Sequence, residues 1–189
     1  MLHMIDKKTR IRSKLLAPFV ININPNIISL LSLIAAILGG MYFYYNLISY
    51  AVLFVFLNGF FDALDGEIAR KRGASVLGDF LDHTFDRLSD VAILLGITLG
   101  GYVPEQLGFF LIIITLLVSY LGTEAQALTK GRLYAGLLGR AERLVLIMIF
   151  GILQLVYGGN MIYDGILILI AFSIITFIQR FVKIYRDLK

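Results

Sequence analysis

The chain predicts an all-α membrane fold: a bundle of six transmembrane helices preceded by an amphipathic helix lying in the membrane interface. Three observations carry this. The 189 residues are 59% hydrophobic and their mean hydropathy is +0.85, beyond the range of ordinary water-soluble domains. The apolar residues gather into runs of about 20, the length that a hydrocarbon core of roughly 30 Å demands. The basic residues gather in alternate connections between those runs, the bias that orients polytopic membrane proteins.

The spans are expected near Ile27–Tyr45, Tyr50–Ala69, Leu77–Gly100, Gln106–Ala127, Ala141–Tyr157 and Ile162–Ile184. Before the first, Lys7, Lys8, Arg10, Arg12 and Lys14 alternate with Leu2, Met4, Ile5, Ile11, Leu15, Leu16 and Phe19, a pattern suited to a helix in the headgroup region. Asn24-Pro25-Asn26 then breaks the chain: Pro25 lacks an N–H, and either asparagine can cap the helix that follows. Residues 1–24 are thus read as the interfacial helix and 25–189 as the bundle, one domain without repeats or linkers. The polar, basic start has no small-residue cleavage site, so no cleaved leader is expected. With no cysteine, disulfide and thiolate chemistry are excluded.

Sixteen of the seventeen basic residues fall on one side of this topology. They precede span one, follow span two (Arg70, Lys71, Arg72), join spans four and five (Lys130, Arg132, Arg140, Arg143) and close the chain (Arg180, Lys183, Arg186, Lys189). The hairpins Asn46–Ser49, Gly101–Glu105 and Gly158–Tyr163 have none. Both termini are therefore expected in the cytoplasm, in an integral cell membrane protein. The net charge of +4 reads as topology and attraction to anionic headgroups, not as nucleic-acid binding. The exception is Arg87, inside span three.

Acidic residues are costly in such a chain. An Asp deep in a membrane helix costs about 2.5–3.5 kcal/mol, and four at that depth roughly 10–14 kcal/mol. Asp62 and Asp65 nevertheless lie three apart on span two, while Asp79, Asp82, Asp86 and Asp90 recur at intervals of three, four and four on span three. Each set shares one helix face. A short turn at Gly73 should make the two spans antiparallel neighbours, bringing Asp62, Asp65, Asp82 and Asp86 together at the cytoplasmic end. Four clustered carboxylates call for divalent cations, and hard oxygen ligands favour Mg²⁺, Mn²⁺ or Ca²⁺. Because Mg²⁺ completes its shell with phosphate oxygens, a phosphate-bearing substrate follows. Gly59, Gly66 and Gly78 leave room beside the acidic faces for close helix contact or a ligand. Glu67 and Asp90 read as rim or supporting groups, Asp79 as a helix N-terminal charge, and His83 as a packing residue.

The pattern Asp62-x-x-Asp65-Gly66-x-x-Ala69-Arg70, then Gly78-x-x-x-Asp82-x-x-x-Asp86, resembles the signature of the CDP-alcohol phosphotransferases, membrane enzymes of phospholipid synthesis. Seven residues separate Arg70 from Gly78, a shorter gap than is usual in that family, so a tight turn is expected. The resemblance implies transfer of a phosphatidyl-type group from a CDP-linked lipid, CDP-diacylglycerol or CDP-archaeol, to the hydroxyl of a small polar alcohol, with release of CMP. It implies two Mg²⁺ or Mn²⁺ ions on Asp62, Asp65, Asp82 and Asp86, with Asp86 also the general base. It further implies a CDP site at Gly66, Ala69 and Arg70, and a homodimer.

Arg140, Arg143 and Arg180 are the candidate acceptor-binding residues. In the inositol-phosphate branch a Ser-Tyr pair is followed by a Lys and an Arg, whereas Ser119-Tyr120 here precedes Leu121-Gly122-Thr123-Glu124. Glycerol phosphate is therefore the expected acceptor, with inositol phosphate, serine and inositol as alternatives. A carboxylate-based ion transporter is the reading from another class, but it gives no reason for the Gly66, Ala69 and Arg70 spacing.

Overall fold

The computed structural model describes residues 15–20, 23–73, 75–129 and 136–189. Six long helices account for most of them: α1 Pro25–Tyr44, α2 Ile48–Arg72, α3 Val76–Leu99, α4 Glu105–Thr129, α5 Arg140–Tyr157 and α6 Met161–Asp187. Each expected span coincides with one helix. The largest offsets are at C-terminal ends, where α2 runs on from Ala69 to Arg72 and α6 from Ile184 to Asp187. Of the interfacial helix expected over 1–24, only residues 15–20, 23 and 24 are described; they hold a 3-10 turn at Ala17–Phe19. Phe19 meets the Phe60 ring edge-on with centroids 5.3 Å apart.

The helix ends follow from local chemistry. The Asn24 side chain accepts from the Asn26 N–H at 3.0 Å, and Pro25 occupies the first turn of α1, where its missing donor costs nothing. Gly73 stops α2 at φ 95°, a conformation that side chains other than glycine resist. Ser75 restarts the chain by accepting from the Gly78 N–H at 3.0 Å, with Asp79 in the first turn of α3 as a favourable N-terminal charge. The approach to α5 is pinned to α6, because Gln179 Oε1 and Thr176 Oγ1 accept from the N–H groups of Leu137 and Leu138.

The helices close a ring. α1 packs on α2 and α3, α3 on α4, α4 on α6, α6 on α5, and α5 on α2. This corrects the expectation that α2 and α3 pack as neighbours: they touch only slightly, because α1 lies between them. Its small residues explain why. A Cβ on Gly96 of α3 would lie 2.0 Å from the Gly40 carbonyl oxygen, and one on Gly40 would lie 2.2 Å from that of Ala92. Backbone-to-backbone contact on this scale is possible only between glycine-bearing faces.

The ring is apolar outside and partly polar inside. Leu53, Ile113, Leu117, Ile168 and Ile178 are exposed on its outer faces, whereas Ser32, Asn58, Asp65, Asp90, Arg143 and Thr176 are buried. Among the described residues, four helices, α1, α2, α4 and α6, are long and apolar enough to cross a membrane. α3 and α5 are comparable in length but carry Asp82, Asp86, Arg87 and Asp90, and Arg140, Glu142 and Arg143. These charges concentrate at one end of the ring, where α2, α4 and α6 finish and α3 and α5 begin.

Candidate active site

The acidic stripes of α2 and α3 face one another across the ring interior. Asp62, Asp82 and Asp86 each place a carboxylate oxygen within 4.8 Å of the others. Oxygens bound at opposite sides of one ion stand roughly 4.2 Å apart for Mg²⁺ and about 4.6–5.2 Å for Ca²⁺, so this donor set lies in the range of a hard divalent cation. Asp65 stands outside that trio. It is buried against α1 beside Ser29, with Asp62 and Asp82 as its charged neighbours.

Arg140, the first residue of α5, reaches into the same cluster. Its Nη1 lies 2.5 Å from Asp62 Oδ1 and 2.7 Å from Asp86 Oδ1, and its Nε 3.7 Å from Asp90 Oδ1. A cation at a helix N-terminus opposes the helix dipole, and here three carboxylates offset the cost. Arg140 was expected at the acceptor; the structure places it on the acidic cluster and on the adjoining cavity at once.

That cavity, ≈ 300 Å³ in volume, opens between α3, α4, α5 and α6. Arg87, Arg140, Arg143 and Arg180 line it against Asp86 and Asp90, with Ser119 and Thr123 on the α4 wall. Four guanidinium groups against two carboxylates give its wall an excess of positive charge. The three arginines singled out from the sequence do converge. Arg143 is committed on one edge to Asp90 at 2.5 Å, and Arg180 Nη1 donates to the Val118 carbonyl at 2.6 Å. A Cβ on Gly122 would come within 3.0 Å of Arg180 Nη1, so glycine there clears the path of this side chain.

Arg87, the exception to the charge asymmetry, is a further residue of the site that the sequence reading assigns no role. It donates to the His83 carbonyl at 2.9 Å and joins the cavity wall. The available signal was its place as the lone basic residue within a span, next to Asp86. Gly66 and Ala69 lie half-buried about one and two turns beyond Asp62 on α2, and Arg70, exposed near the end of α2, pairs with Glu67 at 2.5 Å.

A family model for CDP-alcohol phosphatidyltransferase matches residues 22–178. The archaetidylinositol phosphate synthase of Pyrococcus horikoshii is 36% identical over 161 residues, covering 85% of this chain and 82% of that protein. The phosphatidylinositol phosphate synthase of Streptomyces avermitilis is 30% identical, with 97% of this chain and 84% of that protein covered. A crystal structure of Mycobacterium tuberculosis phosphatidylinositol phosphate synthase in complex with manganese and citrate superposes with a TM-score of 0.76 at 25% identity, over 94% of this chain and 88% of that one. Apolar helices around an interior carboxylate cluster, with these likenesses, define an integral membrane enzyme, a metal-dependent phosphotransferase. The chain belongs to the CDP-alcohol phosphatidyltransferase family.

Proposed function

We propose that the protein transfers a phosphatidyl-type group from a CDP-linked lipid to a hydroxyl of inositol phosphate, releasing CMP. The observation that carries this reading is the junction of two unlike sites. Asp86 belongs both to the carboxylate trio and to the wall of the arginine-lined cavity. A donor diphosphate at the trio and a phosphorylated alcohol in the cavity would meet at that residue.

Asp62, Asp65, Asp82 and Asp86 would hold two divalent cations, which when bound supply positive charge for the diphosphate and the departing CMP. Asp86 takes the proton of the acceptor hydroxyl as its oxygen bonds to the lipid-side phosphorus and the bond from that phosphorus to the CMP oxygen breaks. Arg87, Arg140, Arg143 and Arg180 hold the acceptor phosphate, and Gly66, Ala69 and Arg70 border the CDP moiety.

Inositol phosphate replaces the expected glycerol phosphate for two reasons. The names of the relatives, archaetidylinositol phosphate synthase and phosphatidylinositol phosphate synthase, favour it. The cavity also draws its positive charge from α3, α5 and α6, so Gly122 and Glu124 on α4 no longer count against a phosphorylated inositol. The proposal includes a single domain over 1–189, a six-span topology with termini and site in the cytoplasm, and a homodimer. The gathering of basic residues at the site end supports that sidedness.

The test is CMP release by purified protein with Mg²⁺, CDP-lipid and a panel of acceptors. Inositol phosphate should give the highest kcat/KM. A preference for glycerol phosphate would restore the expectation from α4, and a preference for serine or free inositol would refute the phosphate pocket.

A further inference from the structure

Asn58 lies in the middle of α2, fully buried, where an apolar residue would be the ordinary choice. Its Nδ2 donates to the Ser32 carbonyl oxygen at 3.0 Å and to Ser32 Oγ at 2.9 Å, and Ser32 Oγ donates to the Asn58 carbonyl oxygen at 3.0 Å. This clasp joins α1 to α2 and uses the amide nitrogen, leaving the amide oxygen for another partner. That partner is Arg140, whose Nη2 donates to Asn58 Oδ1 at 3.3 Å. The orientation of the amide follows from the network: turned over, its oxygen would face the Ser32 carbonyl and its nitrogen the guanidinium, and both contacts would be repulsive.

Asn58 stands one helical turn before Asp62 on α2, as Asp90 stands one turn after Asp86 on α3. The guanidinium is thereby hydrogen-bonded at Nη2, while Nη1 and Nε, which make no hydrogen bond among the described residues, face carboxylates at ion-pair distance. Nη1 lies between Asp62 and Asp86, Nη2 on Asn58, and Nε toward Asp90. We propose that Asn58 is a positioning residue for the transfer reaction, its amide oxygen fixing the Arg140 guanidinium at the boundary between the carboxylate trio and the acceptor cavity. Without that oxygen, Nη2 loses its neutral anchor and the side chain swings about its contacts with Asp62 and Asp86. The assignment rests on the acceptor role proposed for Arg140.

The test is a double-mutant cycle on the full-length protein, reading acceptor KM, donor KM and thermal midpoint for Asn58→Ala, Asn58→Asp, Arg140→Ala and Asn58→Ala with Arg140→Ala. Asn58→Ala should raise acceptor KM about tenfold and leave donor KM near wild type, the size expected for losing a hydrogen bond to a charged group. Asn58→Asp keeps the accepting oxygen and gives up the Ser32 clasp, so it should lower the thermal midpoint yet hold acceptor KM within about threefold of wild type. In the Arg140→Ala background, Asn58→Ala should change acceptor KM by less than about twofold, because residues acting through one contact are not additive.

Additive effects would overturn the positioning role and leave the acceptor reading standing. So would an Asn58→Asp enzyme, folded by gel filtration, as impaired as Asn58→Ala; this second comparison needs only the Asp variant should Asn58→Ala not fold. An unchanged acceptor KM in Arg140→Ala would overturn both the acceptor reading and the positioning role.

Discussion

Arg143 Nη2 of α5 lies 2.5 Å from Asp90 Oδ2 of α3, and both side chains are buried. These two helices form no seam of the ring, so the pair bridges its interior. Removing one partner of a buried ion pair strands the other charge, at a cost of about 3–5 kcal/mol. Asp90→Ala should therefore lower the thermal midpoint sharply, and Asp90→Leu combined with Arg143→Met should recover part of the loss. A thermal midpoint unchanged in Asp90→Ala would show that the pair does not hold the bundle.

Asp86→Asn should lower turnover at least about a hundredfold while CDP-lipid binding persists, since a general base contributes 10²–10⁴-fold. Asp62→Asn should weaken donor binding as well, because Asp62 belongs to the trio but does not line the cavity. Single-turnover rates with separate donor-binding titrations divide the two effects. Near-normal turnover in Asp86→Asn would remove it from the base role.

Arg180→Ala and Arg87→Ala should each raise acceptor KM ten- to a hundredfold with little change in donor KM, given about 1.5–3 kcal/mol for a charge-assisted bond to phosphate. Steady-state kinetics with each substrate varied in turn make the comparison. Arginines that serve only topology would leave both constants near wild type.

Gly96→Val should destabilise the protein by about 3 kcal/mol or prevent folding, because the new Cβ would stand against the α1 backbone at Gly40. Gly59→Ala is the contrast. Its Cβ would meet only Leu144 Cδ1, at 3.6 Å, and stability should hold within about 1 kcal/mol, as measured by thermal unfolding in detergent.

Much of the fold is written in local pattern. Run length and Gly, Pro and Asn punctuation locate all six helices, because a bilayer fixes helix length and turn chemistry fixes their ends. The carboxylate cluster is legible in part: intervals of three and four put Asp62 with Asp65 on one face and Asp82 with Asp86 on another, but Asp65 turns toward Ser29 of α1 and three of the four converge. Ring order is not local. The short turn after Gly73 suggests packed neighbours, but the approach of Gly40 to Gly96, far apart in sequence, inserts α1 between α2 and α3. The reach of Arg140 to Asp62 and of Arg180 past Gly122 depends on that ring in the same way, and so does the arginine-lined cavity. An acceptor inferred from α4 alone misses charge delivered by α3, α5 and α6. Asn58, a polar residue in the apolar run of α2, gains its partners Ser32 and Arg140 from other helices, and no local pattern pairs it with them.

Asp62, Asp82 and Asp86 are proposed as the divalent-cation site on which the transfer depends, and Mn²⁺ titration followed by electron paramagnetic resonance tests this without relying on turnover. Folded wild-type protein should deplete the free Mn²⁺ signal saturably, more tightly with CDP present, and Asp82→Asn should weaken binding at least about tenfold, as loss of a ligand to a metal does. Absence of Mn²⁺ binding by folded wild-type protein with CDP present, or unchanged affinity in Asp82→Asn, would remove the metal site from these carboxylates.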